Sequence, residues 1–267
     1  MKRPKITIVT VVKNDAEGIR KTIDSVIAQD YDNIEYVIKD GISTDGTVEI
    51  IKDAASAYPF IRFVSSKDSG IYDAMNQAMR LVSGDYTQFL NAGDVLASSF
   101  VISRVALAAA DSRAAALYGD IIYINEDGSE ELRKYGKLCA NRLYYLTGDC
   151  INHQALFVAT KLLRREHFDT SYAICADREW MLRIGMHDRK MKMRCLDFPI
   201  VYYPLDGASV INKAQYRAEA DRCIKKHMPA GYPVFAFFEF LRDNKKLAEI
   251  LHRAYRVIFI DRDFKRI

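Results

Sequence analysis

Residues 84–94, GDYTQFLNAGD, read as a buried strand that stops on an asparagine and a carboxylate. A strand covered by helices on both faces carries apolar residues without strict alternation. Asp94 then falls at the strand's C-terminal end, where open α/β sheets bind ligands. The chain before it repeats the pattern. KITIVTVV (5–12), IEYVIKD (34–40) and FIRFVSS (60–66) are further apolar, β-branched runs. Between them lie helical periods. Ile19, Ile23, Val26 and Ile27 follow a capping Asn14-Asp15, a short helix covers 48–57, and Ile71, Ala74, Met75, Ala78 and Leu81 share one face of 70–82. The order β-α-β-α-β-α-β predicts a parallel, doubly wound sheet.

Beyond residue 97 the pattern loosens. LYGDIIYINEDGSEELRKY (117–135) predicts two strands joined at Asp127-Gly128. NHQALFVA (152–159) predicts a strand and ADREWMLRIGMH (176–187) a helix. KMRCLDFPIVYY (192–203) predicts one or two strands interrupted near Pro199, and 212–227 a polar helix. The chain is expected to divide into 1–97, a second half of the same domain over 98–227, and a helical tail over 228–267.

Among the 267 residues, 49% are hydrophobic and 28% charged, which excludes a disordered chain. Residues 241–267 hold eight Lys/Arg against four Asp/Glu, so this tail carries the whole net charge of +4. Five cysteines are scattered without a CxxC pair, the pattern of a reduced, cytoplasmic chain. The apolar run of seven residues behind the basic N-terminus is too short for a signal segment. No stretch reaches the roughly 20 apolar residues that span a bilayer.

Lys13-Asn14-Asp15, Asp40, Lys67-Asp68 and Asn91–Asp94 all fall at predicted strand ends. In a parallel sheet these ends converge on one edge and form a crevice; singly, such residues also cap helices and make turns. The chain has no GxGxxG after its first strand and no GxxxxGK[ST], so neither dinucleotide nor Walker phosphate loops are present. A phosphorylated ligand would then need a divalent metal held by one or two carboxylates.

These stretches, TIVTVVKND, IAQDYDNIEYVIKDGISTDGTVEII and SSKDSGIYDAMNQAMRLVSGDYTQFLNAGD, resemble the nucleotide-sugar half of family-two glycosyltransferases. The resemblance is strongest to the bacterial branch that assembles surface polysaccharides, colanic acid type enzymes included. It runs through residues 5–97 and resumes at NHQALF, CADREWMLRI and DGASV. It implies the GT-A fold, an α/β architecture whose mixed, mainly parallel sheet is flanked by helices, here with a C-terminal helical appendage.

The resemblance also implies roles. Thr10, Val11, Lys13 and Asn14 would line the nucleotide pocket, with Lys13 reaching a phosphate where many relatives carry a stacking Tyr. Asp40 would accept a hydrogen bond from the base, and Asp45 would cap the next helix. Asp68 and Gly70 would turn the chain toward the donor. Asp73 and Asn76, about one helical turn apart, would touch the ribose, the sugar or the NAGD loop; Asn76 could equally tie helix to loop. Asn91, Ala92 and Gly93 would face the donor, with Asn91 touching either metal or sugar. Asp94, at the family's DxD position, would hold Mn²⁺ or Mg²⁺. ADREWMLRI resembles the family's EDxxLWLR, so Asp177 would be the general base, its pKa raised by a closed cleft. Ala176 stands where Glu is frequent, leaving Glu179 as the nearest substitute. His153, Gln154 and Trp180 would line an acceptor or sugar pocket, and DGASV, with Asp206 at the first Gly of GGxS, would close over the diphosphate.

The implied activity is metal-dependent, inverting transfer from a nucleoside-diphosphate sugar, UDP-sugars favoured, to a glycan acceptor that is lipid-linked. A nucleotidyltransferase would share the fold, but VVKNDAEG lacks its Gly- and Arg/Lys-rich loop; a sugar-nucleotide-binding assembly protein with little turnover is the other alternative. The aromatic, basic tail would either lie on an anionic membrane at the inner face of the plasma membrane or pack back on the domain, also within a homo-oligomer. No motif points to nucleic acid.

Overall fold

The computed structural model describes residues 3–112, 114–137, 141–187, 192–205 and 212–243. The DGASV loop and residues 244–267 of the basic tail lie outside the described residues. Strands β1 (Ile6–Val12), β2 (Ile34–Asp40), β3 (Ile61–Ser65) and β4 (Tyr86–Phe89) pair in parallel in the order β3-β2-β1-β4. Every residue of β1 and β2 is buried, which explains their unbroken apolar runs. Helices α1 (Ala16–Ile27), α2 (Thr47–Ala57) and α3 (Ile71–Ala78) connect them. Asp15 caps α1 by accepting the Gly18 N–H at 2.8 Å. Asp45 caps as expected: its carboxylate takes the Thr47 N–H and hydroxyl and also the Ala16 N–H, so one side chain fixes the starts of two helices.

α3 ends four residues before the apolar period does. Past Ala78 the backbone tightens, with Arg80 N donating to Gln77 O and Leu81 N to Ala78 O. These are three-residue bonds, so Met79 and Val82 reach the core from a turn rather than from a helix.

The sheet continues with β8 (Leu156–Ala159), β6 (Ala116–Ile124), β9 (Met193–Pro204) and the two-residue β5 (Val95–Leu96). β8 is antiparallel to β4 and β6, β9 is parallel to β6, and β5 is antiparallel to β9. β7 (Glu130–Arg133) forms a hairpin with β6 around Asp127-Gly128, as predicted. The mixed, mainly parallel sheet flanked by helices is the expected fold class. β9 is one strand rather than two. Pro199, which cannot donate to a ladder, sits opposite Asp120 where the β6–β9 register shifts. Gly119 lies in the same irregularity, where a Cβ would come within 2.7 Å of Ile200 Cγ1 and Phe198 O.

Helix α4 (Val101–Ser112), between β5 and β6, was not expected; it buries Val101, Ile102, Val105 and Ala109. Two more helices follow, α5 (Thr160–Arg165) after β8 and α6 (Ala176–His187) before β9. α7 (Lys213–His227) and α8 (Tyr232–Arg242) complete the described chain. α8 packs on the 3-10 turn Arg142–Thr147, where Arg242 donates to Thr147 O. No helix among the described residues is long and apolar enough to cross a membrane. Cys150, Cys175, Cys195 and Cys223 are free thiols; Cys139 lies outside the described residues.

Candidate active site

The segment after β4 is a tight turn. Asp94 accepts the Asn91 N–H through Oδ2 at 3.0 Å, and Asp94 N donates to Asn91 O at 3.1 Å. Gly93 has φ +92°, a conformation that favours glycine. The buried Thr22 of α1 accepts the Gly93 N–H and donates to Asp94 O at 2.8 Å, pinning the turn from below. The turn forms one wall of a cleft of about 310 Å³. The 3-10 turn His153–Ala155 forms a second wall, anchored where Gln88 of β4 donates to Gln154 O. The start of α6 forms a third.

That start is held by a carboxylate from α7. Glu219 accepts the N–H groups of Ala173, Ile174 and Cys175, each at 2.9 Å. Burial pushes its pKa up, but these backbone bonds and Gln215 outweigh it and hold the carboxyl below its usual range. Asp177 is thereby presented to the cleft. Its Oδ1 accepts the Arg178 N–H at 2.7 Å and the Tyr72 hydroxyl at 3.0 Å, and its Oδ2 lies 2.8 Å from His153 Nδ1. On the far side of the ring, Asn91 Nδ2 lies 3.2 Å from His153 Nε2. Asn91, His153, Asp177 and Tyr72 thus form one hydrogen-bonded chain joining three walls.

The expected upward pKa shift of Asp177 is not found. Burial raises it, but the bonds from His153, Arg178 N–H and Tyr72 win, and the carboxyl sits below the ordinary range. A carboxylate receiving three donors keeps its charge.

The structure gathers Asn91, Ala92, Gly93, Asp94, His153, Gln154 and Asp177 around this cleft. Several other expected residues lie elsewhere. Trp180 is buried, donating from Nε1 to Glu166 O and packing on Phe168, so it faces the core rather than an acceptor pocket. Asn76 uses both ends of its amide on the Phe168 backbone, at 3.0 Å each, which is the tying role and not a ligand contact. Asp73 takes the Ser69 N–H and hydroxyl and the Gln77 amide, closing the first turn of α3. Glu179 is no substitute for the missing glutamate, because it is buried against Arg183 and His227.

A second group of expected residues clusters at the ends of β1–β3. Thr10 and Val11 are buried, with Thr10 Oγ1 donating to Leu90 O. The Asp40 carboxylate is wholly buried and accepts from Ile42 N, Ser43 N and the Ser65 hydroxyl, so it shapes the loop instead of facing open space. Exposed Asn14, at φ 52°, clasps this loop through Thr44 N and Ser43 Oγ. Lys13 and Asp68 both approach Gly41, where a Cβ would come within 3.0 Å of Asp68 Oδ2 and 3.2 Å of Lys13 Cβ. Buried Lys39 orients Asp68 at 2.8 Å while also donating to Asp40 O and Ser66 O. Gly70 precedes α3 at φ +137°, with its N–H on Asp68 Oδ1.

Tyr72, Arg133, Asp149 and Arg178 also line the cleft and were missed. Tyr72 adjoins Asp73 in a helix whose apolar face looked purely structural. Arg178 directly follows Asp177 in ADREWMLRI, whereas Arg133 and Asp149 have no sequence signal, since only the fold of the second half brings them together.

No group of three His, Cys, Asp or Glu side chains among the described residues forms a self-sufficient cage. One hard carboxylate on a glycine-containing turn, Asp94, does suit Mg²⁺ or Mn²⁺ where substrate phosphates and water complete the shell.

Comparison with known proteins agrees with this architecture. Residues 7–165 match the model of the glycosyl transferase family 2. A Mycobacterium tuberculosis protein described as an uncharacterized glycosyltransferase is 28% identical over 200 residues, covering 72% of this chain and 73% of its own. A PGL/p-HBAD biosynthesis glycosyltransferase of Mycobacterium bovis is 30% identical over 186 residues, covering 68% of this chain and 70% of its own. Among solved structures, S. aureus TarS in complex with UDP-GlcNAc superposes with a TM-score of 0.67 at 16% identity, covering 90% of this chain and 74% of that one. The mannosyltransferase PcManGT of Pyrobaculum calidifontis, in complex with GDP-Man and Mn²⁺, gives 0.62 at 18% identity, covering 96% and 81%.

Proposed function

The chain belongs to glycosyl transferase family 2, and from that premise we propose that it moves one sugar, with inversion, from a nucleoside-diphosphate donor to a glycan acceptor. The observation that carries this reading is the hydrogen-bonded chain from Asn91 through His153 to Asp177, which joins the NAGD turn to the α6 start across one cleft. The nucleotide would lie along Lys13, Asn14, Asp68 and Gly70, with Thr10 and Val11 forming the floor and buried Asp40 shaping the adjoining loop. Its diphosphate and sugar would reach Asn91–Asp94. Asn91 Oδ1 is buried without a hydrogen-bond partner, and a sugar hydroxyl would satisfy it.

Asp94 would hold a divalent ion, which when bound supplies positive charge to the leaving diphosphate. Asp177 supplies the negative charge that draws the proton from the acceptor hydroxyl. His153 and Gln154 line the acceptor side with Tyr72 and Arg178. Inversion follows from a single displacement with one base centre. The donor class is supported by the UDP-GlcNAc and GDP-Man complexes of fold neighbours, with UDP-sugars preferred on the motif pattern. Relatives named for PGL/p-HBAD biosynthesis favour a biosynthetic role; the lipid-linked acceptor and the surface-polysaccharide branch are readings of the sequence motifs.

Residues 1–97 would then serve the donor and 98–227 the acceptor. The segment 228–267 would serve attachment at the cytoplasmic membrane face or between copies of the chain. α8 leaves Val234, Phe237 and Phe240 exposed, which suits an anionic bilayer surface.

The test is release of nucleoside diphosphate from UDP-GlcNAc and GDP-mannose with Mn²⁺ and a bacterial lipid extract. Transfer is expected for the parent, and Asp94→Ala should weaken Mn²⁺-dependent donor binding in calorimetry. Pyrophosphate release would indicate a nucleotidyltransferase, and donor binding without turnover a non-catalytic binding protein. Identical donor affinity with and without Mn²⁺ would remove the metal.

A further inference from the structure

The carboxylate of Asp177 does not stand alone in the cleft. Its Oδ1 is engaged by Tyr72 and Arg178 N–H, and its Oδ2 by the imidazole. An ionised carboxylate only accepts hydrogen bonds, so His153 Nδ1 carries a proton. Asn91 Nδ2 only donates, so the facing Nε2 bears a lone pair. This arrangement corresponds to the tautomer that turns a basic nitrogen toward the NAGD turn. The bond occupying that nitrogen is 3.2 Å, at the long end of the normal range, and is readily exchanged for a hydroxyl. His153 itself is largely but not wholly buried, with 15% of its side chain exposed.

We propose that Nε2 of His153 is the atom that takes the acceptor's proton, with Asp177 behind it as the orienting carboxylate. This rests on the glycosyl-transfer reading above and assigns its base to an atom. The acceptor oxygen bonds to the anomeric carbon while its proton passes to Nε2. The bond from that carbon to the diphosphate breaks, leaving its electron pair on the diphosphate oxygen. The imidazolium keeps its Nδ1 proton on Asp177, whose charge balances it, and gives the Nε2 proton to water after product leaves. Asn91 couples the two halves of the reaction. Its Nδ2 marks the base, and its unpartnered Oδ1 belongs to the same amide plane.

Two measurements test this. In protein labelled with ¹⁵N-histidine, long-range proton–nitrogen spectra should show the resonance lost in His153→Gln as protonated at Nδ1 and bare at Nε2 at neutral pH. A proton on Nε2 of the neutral ring overturns the proposal without touching the family activity. In the nucleoside-diphosphate release assay with UDP-GlcNAc or GDP-mannose, Mn²⁺ and lipid extract, His153→Gln and Asp177→Asn should each lower kcat by about 10²–10⁴-fold at unchanged donor Kd. The double variant should be no worse than the poorer single one, as for residues acting as a unit. If His153→Gln stays within about threefold of the parent while Asp177→Asn loses transfer, Asp177 takes the proton itself and the proposal fails. If both variants turn over normally, the reading of Asp177 as the base centre fails as well.

Discussion

Glu219 never touches the cleft, yet three backbone N–H groups before Asp177 depend on it. Glu219→Gln replaces one accepting oxygen with a donor that faces those N–H groups. The expected cost is about 2 kcal/mol for losing charge-assisted bonds to buried donors. Thermal melting should record this as a drop of several degrees in Tm. Because the α6 start loosens, kcat should fall while donor Kd stays. An unchanged Tm would show that water or neighbouring groups satisfy these N–H groups instead. Nothing in KAQYRAEADR (213–222) distinguishes Glu219 from other charges on a polar helix. Its role arises from a packing of α7 on a loop some 45 residues away. The His153–Asp177 contact was hidden for the same reason. Each residue was legible by type and motif, but their bond exists because the 3-10 turn held on β4 through Gln88 faces the start of α6.

At the scale of elements, the β6–β9 junction offers the sharpest test. Gly119→Ala would drive a methyl into Ile200 and the Phe198 carbonyl. An expected cost of about 1–3 kcal/mol for overpacking should lower the urea midpoint at unchanged m-value. A stable variant would mean that the bulge near Pro199 yields. The strands through β4 were legible because parallel strands buried on both faces leave continuous apolar runs, as β1 and β2 do. α4 was missed because Ala106, Ala108, Ala109 and Ala110 blur the contrast between its faces, although Ser98 and Ser99 stand just before it. β5 was missed because two residues, Val95 and Leu96, show no period at all. The α3 end was overestimated because an apolar spacing continues through a turn without its hydrogen bonds.

At the scale of the molecule, three carboxylates that tie its parts together, Glu35, Asp177 and Glu219, share one direction. Glu35 ties β2 to Ser83 and Thr7; burial raises its pKa, but these bonds and Lys5 bring it below the usual value. Glu219 and Asp177 are depressed likewise. A carboxylate whose folded pKa is depressed stabilises the fold above its unfolded pKa, about 4, and loses that contribution as pH falls through the folded value. Asp120, raised chiefly by burial, acts with the opposite sign. Three against one predicts a falling Tm below about pH 4.5, measurable by circular dichroism. Glu219→Gln should flatten that slope, and an equally steep one would assign the acid sensitivity elsewhere.

The two-residue β5 has a geometric consequence for the molecule. It follows β4 after only the Leu90–Asp94 segment, yet β8, β6 and β9 lie between them in the sheet. Four strand spacings amount to roughly 19 Å across a flat sheet. Six virtual bonds reach about 20 Å only when fully extended, and this segment folds back in a turn. The sheet must therefore curl, with the NAGD turn as the string across its bow. A ligand that tightens that string would bend both halves together, while one that slackens it would let the far edge open.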